Sequence, residues 1–546
     1  MTPKGPSWLS SSVFYNIYLQ SFADSNGDGI GDLNGVTSKL DYIKGLGCNA
    51  LWLTAFNESP FGDGGYDVSD FYRIAPRYGT NDDARRLFEA AHERGMRVCF
   101  DLVAGHTSIR HPWFRESCRH ERNEFSDRFI WTDSTWEEVD PASSFVKGFA
   151  QRDGAYMTNF FWFQPALNYG FAHPDPARPW QMPVDHPSVL ATKRELERIM
   201  RFWLDMGADG FKVDMASSLV KNDPDKKATM ALWQGFREMV DRDYPEAALI
   251  SEWSDPEKAI EAGFHIDFML HFNVDAYMFL FRAEKWRNPH EQDRGASWFD
   301  GRGDGDIESF FRTYLEQLRA TKDHGYIALP TGNHDICRLA AGRGDSELKV
   351  AFGFLMTMPG IPFLYYGDEI GMRGGDPSLP SKEGGYNRSA ARTPMRWTKG
   401  VNRGFSEATG EKLYLPMDST GSDVETQSAD PDSLLTWTRT LTALRATHPA
   451  LGADGDIEAI PGCGRGYPFA YLRHIASSPG NISETFLIVL NPSPHSGEIS
   501  LPPGMKVEKQ VLRVGEIEIG LKAGITVLRC GGMSFAVLAT GSASAR

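Results

Sequence analysis

The sequence alternates between short apolar segments and longer amphipathic ones over most of its length. Apolar segments that predict buried strands lie at residues 13–22, 48–53, 97–101, 210–214, 249–252, 265–272, 330–335 and 360–369. Segments with apolar side chains three and four positions apart, which predict helices, lie at residues 36–47, 189–206 and 308–321. This alternation of strand and helix is typical of a parallel β/α fold.

Two regions break this pattern. Residues 107–170 are rich in His, Trp, Phe, Asp and Gly and have no helical period. A structureless loop of that length is uncommon inside a compact domain, so we expect a small inserted domain there. From about residue 452, short apolar runs alternate with turns, which predicts an all-β sandwich.

Composition narrows the range of partners. The net charge of −15 disfavours nucleic acid or an anionic membrane surface as a partner. No apolar run approaches the length of a membrane span, and residues 1–12 lack the apolar core of a signal peptide. The six cysteines show no C-x-x-C spacing and no disulfide framework. We therefore expect a cytoplasmic protein that binds neither nucleic acid nor membrane.

The predicted strands 97–101, 210–214, 249–252 and 330–335 each end in an acidic residue. Lys212 and Asp214 share one face of segment 210–214, because side chains alternate along a strand. A buried cation and carboxylate are costly unless they pair or serve a function, so a structural ion pair is one interpretation. The other strand-end acids are Asp101, Glu252 and Asp335. A β/α barrel brings its strand ends together on the face that carries catalysis, which favours a catalytic cluster.

Four segments, in chain order, resemble the signature blocks of the α-amylase superfamily of glycoside hydrolases. They are residues 101–106 (DLVAGH), 210–214 (GFKVD), 251–253 (SEW) and 333–335 (NHD). Residues 163–168 (FQPALN) resemble a fifth block of the oligo-1,6-glucosidase, α-glucosidase and trehalose synthase branch. The resemblance covers roughly the first 450 residues. Together with the pattern above, it implies a (β/α)8 TIM barrel with an inserted small domain after the third strand and a C-terminal all-β sandwich domain. The implied limits are residues 1–106 and 171–450 for the catalytic barrel, 107–170 for the insertion and 451–546 for the sandwich.

The resemblance also implies roles for individual residues. Cleavage of a glycosidic bond with retention needs two carboxyl groups about 5 Å apart. We assign Asp214 as the nucleophile and Glu252 as the acid/base, and the resemblance assigns Asp335 to stabilising the transition state. An ion pair between Arg392 and Asp67 is expected to wall off the sugar pocket, and Trp253 could equally belong to the core. The residues expected to contact the sugar or shape its pocket are Tyr66, Asp67, Asp101, His106, Phe163, Gln164, Lys212, Trp253, His334 and Arg392.

Three positions depart from the superfamily's pattern. The superfamily has Arg two residues before the nucleophile, whereas this chain has Lys212. Lysine keeps the charge but lacks the planar fork of arginine, so we expect activity with an altered specificity or pH range. Gly105 stands where classical amylases have an Asn that binds an interdomain calcium, so that ion is not expected. Ala166 stands where the fifth block has Asp.

A D-x-N-x-D-G-x-x-D run follows the first predicted strand. Oxygen side chains at every second position around tight glycines suit a hard cation such as Ca²⁺. The run is not an EF-hand, because Gly35 occupies the twelfth position, where an EF-hand has Glu. A polar turn is the alternative. By resemblance we expect one structural Ca²⁺ site and no organic cofactor, with the ligands Asp24, Asn26, Asp28, Asp32 and the carbonyl of Ile30.

The resulting hypothesis is a retaining, exo-acting α-glucosidase-like hydrolase that acts on a small α-linked oligosaccharide or glucoside. A transglycosylase or isomerase of the same fold, similar to trehalose synthase, is the alternative, because the sequence does not distinguish water from a sugar hydroxyl as acceptor. A non-catalytic sugar-binding relative is disfavoured, since Asp214, Glu252 and Asp335 are all present. Linkage preference and oligomeric state are left open.

Overall fold

Eight parallel strands close into a barrel, which confirms the predicted fold. The computed structural model describes residues 4–139, 143–269, 274–282, 297–300, 306–375, 382–383, 388–418, 421–460, 466–478 and 481–540. The barrel strands are β1 (Phe14–Ile17), β2 (Ala50–Leu53), β3 (Arg97–Leu102), β4 (Gly210–Val213), β5 (Ala248–Ser251), β6 (Ile266–Phe268), β7 (Tyr326–Pro330) and β8 (Ile361–Tyr365). Each strand pairs with its neighbours in chain order, and β1 closes the barrel against β8.

The barrel strands are short and buried along nearly their whole length, as expected for strands covered by helices outside and side chains inside. The first strand ends at Ile17, earlier than the predicted 13–22, because Leu19–Ser21 forms a turn of 3-10 helix. The sixth strand is also shorter than predicted, and residues 270–272 of that prediction lie outside the described residues.

Helices cover the outside of the barrel. The helix Pro187–Asp205 is an example of how the sequence specifies a helix. The His186 side chain accepts a hydrogen bond from the amide of Ser188 at the start of the helix. Leu196, Ile199 and Trp203 lie on its buried face. The predicted helix at 36–47 is instead two short helices. The helices are Leu33–Ser38, Leu40–Gly45, Asn81–Glu93, Pro112–Ser117, Pro187–Asp205, Lys227–Asp243, Pro256–Glu261, Asp275–Phe281, Glu308–Thr321, Asp345–Thr357, Val424–Ser428 and Leu434–Thr447.

The region between β3 and the helix Pro187–Asp205 contains a small hydrophobic cluster of its own, formed by Ile130, Met157, Ala166, Phe171 and Trp180. Two strands, Phe145–Lys147 and Ala155–Met157, pair antiparallel, and the rings of Phe114 and Tyr156 pack 5.0 Å apart. A bridge between His106 and Ala166 ties the far end of this region back to the end of β3. The inserted sequence therefore lies over the mouth of the barrel. The exact domain limits drawn from the sequence stay predictions.

The C-terminal region is all β, as predicted. Its strands are β9 (Asp456–Ala459), β10 (Phe469–Ser478), β11 (Asn481–Asn491), β12 (Gly497–Ser500), β13 (Val507–Val514), β14 (Ile517–Lys522), β15 (Ile525–Cys530) and β16 (Ser534–Thr540). They form two antiparallel sheets, one in the order β9-β10-β11-β16-β13 and one in the order β12-β15-β14.

Two buried arginines fix the C-terminal sheets to the barrel. Arg445, on the helix Leu434–Thr447, donates to the backbone carbonyls of Met356, Met358 and Leu451 at 2.7–2.9 Å. Arg473, on β10, donates to the carbonyl of Gly452 at 2.7 Å. Arg445 therefore joins barrel backbone to Leu451, and Arg473 joins β10 to Gly452, both of which precede the C-terminal sheets.

Within the described residues, no helix has both the length and the apolar character needed to cross a membrane. Cys48, Cys99, Cys118, Cys337 and Cys530 are free thiols, and Cys463 lies outside the described residues. The cytoplasmic location expected from the sequence stays a prediction.

Candidate active site

The carboxyl ends of β3, β4 and β5 bring one lysine among three carboxylates. Lys212 Nζ lies 2.9 Å from Asp101 Oδ1, 2.7 Å from Glu252 Oε2 and 3.6 Å from Asp214 Oδ1. Strand pairing dictates this arrangement, since Asp101 and Lys212 are register partners on β3 and β4. The lysine is only 3% exposed. The sequence-predicted pair of Lys212 and Asp214 is thus part of a larger charge cluster.

The two predicted catalytic carboxylates lie close enough to share that ammonium group. Burial lowers the pKa of Lys212, but the three carboxylates outweigh burial and raise it well above its ordinary value, so the lysine stays charged. Burial raises the pKa of Asp214, Lys212 opposes this rise, and the charge of Glu252 adds to it. Double displacement requires two carboxyl groups close together, and the contacts of Asp214 and Glu252 with the same ammonium place these two near each other.

Asp335, which follows β7, is the third predicted catalytic acid. Its Oδ1 accepts Arg388 Nη1 at 2.7 Å and Arg392 Nη2 at 3.1 Å, and His334 Nε2 lies 3.2 Å from Oδ2. Burial acts to raise the pKa of Asp335, but His334 and the two arginines together hold it well below its usual range. Asp335 is therefore ionised near neutral pH.

Tyr66 lies beside this cluster and bonds Asp101, one of its members. The hydroxyl of Tyr66 and Nε1 of Trp52 each donate to Asp101 Oδ2 at 2.9 Å. The Tyr66 ring stacks on His334, with centroids 5.2 Å apart and planes 13° apart. These contacts give the predicted sugar-binding residues Tyr66, Asp101 and His334 fixed orientations.

The three predicted catalytic acids, Asp214, Glu252 and Asp335, line one cavity of about 320 Å³. This volume is at the low end for small-molecule sites, which suits one sugar ring and little more. The cavity is lined by Asp63, Tyr66, His106, Phe160, Asp214, Met215, Glu252, His334, Asp335 and Arg388.

The predicted ion pair between Arg392 and Asp67 is wrong. Asp67 accepts the hydroxyl of Ser59 at 2.9 Å and the amides of Gly62 and Asp63 at 3.0 Å, so it stabilises its own loop. Burial raises the pKa of Asp67 to about 6. Asp67 was predicted to line the pocket because it directly follows Tyr66 in the same motif. In the structure it does not line the cavity.

A different acid and a different arginine form the wall. Arg388 bonds Asp63 on one side and Asp335 on the other. Arg392 lies behind it and bonds Glu383, Asp335 and the backbone carbonyl of His334. Sequence reasoning missed both Asp63 and Arg388. Both residues could have been identified as candidates because they lie close in sequence to the motifs that contain Tyr66 and Arg392.

Several other predicted residues support the site without opening into the cavity. Gln164 donates to Asp63 Oδ2 at 2.8 Å and accepts the amide of Phe161, so it positions the wall acid. The Phe163 ring packs 5.4 Å from that of Phe161. Trp253 packs against Phe264 and is a core residue, which was the alternative kept open for it.

His106 lines the cavity, but both of its ring nitrogens are already bonded to protein atoms. Nδ1 accepts from Asn159 Nδ2 at 3.1 Å, and Nε2 lies 3.1 Å from the carbonyl of Tyr66. Burial lowers its pKa to about 4, so the ring is neutral and carries its hydrogen on Nε2. The expected hydrogen bond from His106 to a sugar is therefore not available in this arrangement.

Met215 also lines the cavity, and its backbone has an unusual conformation. Its φ of 48° lies in the left-handed region, which is uncommon for a residue other than glycine. The turn directs its amide toward Glu252 Oε2, at 3.4 Å. Strained backbone beside a catalytic residue is typical of functional sites.

The proposed calcium loop is held together by its own backbone. Asp24 accepts the amides of Asn26, Gly27 and Gly29, and Asp32 accepts Ser25 and Gly35. Asn26 Oδ1 and Asp28 Oδ1 each accept the amide two residues further on, the second being that of Ile30. Across the described residues, no three His, Cys, Asp or Glu side chains lie together in a way that could hold a metal ion. The calcium site stays a prediction.

Sequence comparison shows which known proteins this chain resembles. Residues 16–454 match the family model of the α-amylase catalytic domain. The trehalose synthase/amylase TreS of Mycolicibacterium smegmatis is 33% identical over 519 residues, which are 88% of this chain and 82% of that protein. An α-glucosidase of Culex pipiens is 28% identical over 536 residues, which are 93% and 86% of the two chains.

A solved structure shows the same fold. The trehalulose synthase MutB of Pseudomonas mesoacidophila superposes with a TM-score of 0.77 at 24% identity. The superposition covers 98% of this chain and 100% of that one.

Proposed function

Because the chain belongs to the α-amylase catalytic-domain family, and is therefore an enzyme that acts on O-glycosidic bonds, we propose that it is a retaining, exo-acting α-glucosidase-like enzyme for short α-glucosides. The observation that carries this proposal is the contact of a single ammonium, that of Lys212, with both Asp214 and Glu252.

The proposed reaction has two steps. Asp214 attacks the anomeric carbon while Glu252 transfers its proton to the departing glycosidic oxygen, which leaves a covalent glucosyl-enzyme. Glu252 then removes a proton from the acceptor, whose oxygen attacks the anomeric carbon and releases Asp214. Retention follows because each step inverts that carbon once.

Asp335 is proposed to stabilise the charge that develops between these steps. Positive charge builds up on the sugar ring in the oxocarbenium-like transition state. A carboxylate kept ionised by Arg388 and Arg392 can offset that charge without reorganising.

Exo action is supported by the wall formed by Asp63 and Arg388. Their ion pair lies beside a cavity with the volume of about one sugar ring, so a chain could not extend past this side. The enzyme would therefore remove the terminal glucose, and the rest of the substrate would lie toward the barrel mouth.

The fate of the glucosyl-enzyme defines a second candidate function. Relatives that are 31–33% identical to this chain are named trehalose synthases, and an enzyme of that type would return the glucose to the released sugar instead of to water. This isomerase uses the same residues in the same roles, so it differs only in the acceptor.

Product analysis with the purified protein tests both candidates. Cleavage of p-nitrophenyl α-glucoside by the wild type, abolished in Asp214→Asn, is the result expected for double displacement. Incubation with maltose then separates the acceptors, because free glucose alone indicates hydrolysis and a new disaccharide indicates isomerisation. No turnover across a panel of α-linked disaccharides and aryl glucosides would contradict both.

A further inference from the structure

Asp267 is a fully buried acid on β6, one strand beyond the strand that carries Glu252. It is the register partner of Ser251, which directly precedes Glu252. Its side chain is absent from the cavity lining, so it does not touch a bound sugar. Nothing in the reaction described above uses this carboxylate.

Among the residues that the structure describes, its hydrogen bonds all go to the chain around Glu252. Oδ1 accepts the hydroxyl of Ser251 at 2.5 Å and the amide of Trp253 at 3.1 Å. Oδ2 accepts the amide of Asp255 at 3.0 Å, and the amide of Ser254 also bonds this carboxylate. One buried carboxylate thus holds the residue before Glu252 and the three residues after it.

The backbone that it holds has an unfavourable conformation. Ser254 has a φ of 65°, in the left-handed region that costs energy for any residue with a Cβ. Such a turn persists only where the surroundings enforce it, and the amides bound by Asp267 are those of this turn. The turn determines where the chain leaves β5 and therefore where the Glu252 side chain points.

We propose that Asp267 is a positioning residue that aims the acid/base Glu252 at the glycosidic oxygen. This inference rests on the proposed function. A general acid must lie within hydrogen-bond reach of the atom it protonates, and a displacement of about 1 Å can cost about 100-fold in rate. Without Asp267 the turn after Glu252 relaxes, and the carboxyl group loses its alignment while Asp214 on β4 keeps its own.

The test uses leaving groups that differ in their need for a proton. Maltose needs protonation of its leaving oxygen, whereas fluoride departs from α-glucosyl fluoride without it. The measured quantity is kcat/KM, which reports the steps up to departure of the leaving group. For Asp267→Asn, kcat/KM should fall about 30-fold or more with maltose and stay within about threefold with α-glucosyl fluoride.

Asp209→Asn is the matched control. Asp209 is also buried and also accepts a backbone amide, that of Val98 at 2.8 Å, but it precedes β4 at the opposite end of the barrel. Its loss should change kcat/KM for both substrates in the same proportion. Ser251→Ala, which removes one donor to Asp267, should show the same selective loss to a smaller degree, and serves if Asp267→Asn does not fold.

The outcomes distinguish a failure of the proposed function from a failure of the positioning role of Asp267. If the wild type cleaves neither substrate, the proposed function fails. If the wild type cleaves both, and Asp267→Asn and Ser251→Ala each affect both substrates equally or affect neither, the positioning role is wrong.

Discussion

The ammonium of Lys212 lies 2.7 Å from Oε2 of Glu252. The same nitrogen also contacts Asp214, so the proposed acid and the proposed nucleophile share one positive charge. An arginine would present a planar fork of donors, whereas lysine presents one compact charge. The charge balance around Asp214 and Glu252 therefore depends on a single buried nitrogen.

Lys212→Ala is expected to lower kcat/KM about tenfold or more, because a buried charge-assisted contact is lost. Lys212 also opposes the rise in the pKa of Asp214 that burial causes, so that pKa should rise further in the variant. The nucleophile must be ionised to attack, so the low-pH side of the kcat/KM profile should move to higher pH. A profile measured with p-nitrophenyl α-glucoside tests this, with the exposed Lys44→Ala as control. Values within about twofold of wild type at every pH would contradict the role.

Asp63→Asn is expected to weaken recognition of the terminal glucose. Truncating one partner of a buried charge pair costs roughly 2–5 kcal/mol, which corresponds to about 30-fold or more in kcat/KM. Most of the loss should appear in KM, because Asp63 and Arg388 form the wall and not the reacting centre. Steady-state kinetics with maltose measure this change.

Asp67→Asn is the control variant for Asp63→Asn. Within the described part of the chain, Asp67 bonds only Ser59 and the amides of its loop. Its change should therefore lower the thermal midpoint and leave KM near the wild-type value. If Asp67→Asn raised KM while Asp63→Asn did not, the assignment of the wall would have to be reversed.

The sequence predicted those site residues whose position follows from a strand. Asp101, Lys212, Asp214 and Glu252 lie at or just beyond the ends of β3, β4 and β5, so parallel strand packing alone brings them together. The wall could not be predicted in this way. Asp63 and Arg388 are 325 residues apart, and both lie in loops whose paths no periodicity encodes. The sequence motif indicated Asp67 as the wall acid because Asp67 directly follows Tyr66. A motif shows which residues are adjacent in sequence, but it does not show where their side chains point.

Arg445→Met is expected to destabilise the whole chain by about 3–5 kcal/mol, because each buried carbonyl that loses its donor costs about 1–3 kcal/mol. The buried guanidinium donates to the carbonyls of Met356, Met358, Gly360 and Leu451, and these would be left without partners in the variant. Chemical denaturation measures the loss. Arg439→Met, a more exposed arginine on the same helix, should cost less than about 1 kcal/mol. Equal losses for the two variants would contradict a joining role for Arg445.

The calcium prediction can be tested without a substrate. An ion that binds only the folded state at about 100 times its Kd adds about 2.7 kcal/mol of stability. A chelator should then lower the thermal midpoint, and added Ca²⁺ should restore it. Asp28→Ala is the informative variant, because Asp28 bonds only one amide in its loop while Asp24 and Asp32 bond several groups. It should abolish the calcium response, whereas the exposed Asp323→Ala should retain it. A wild-type midpoint that is the same in chelator and in excess Ca²⁺ would show that the loop is a polar turn closed by its own amides.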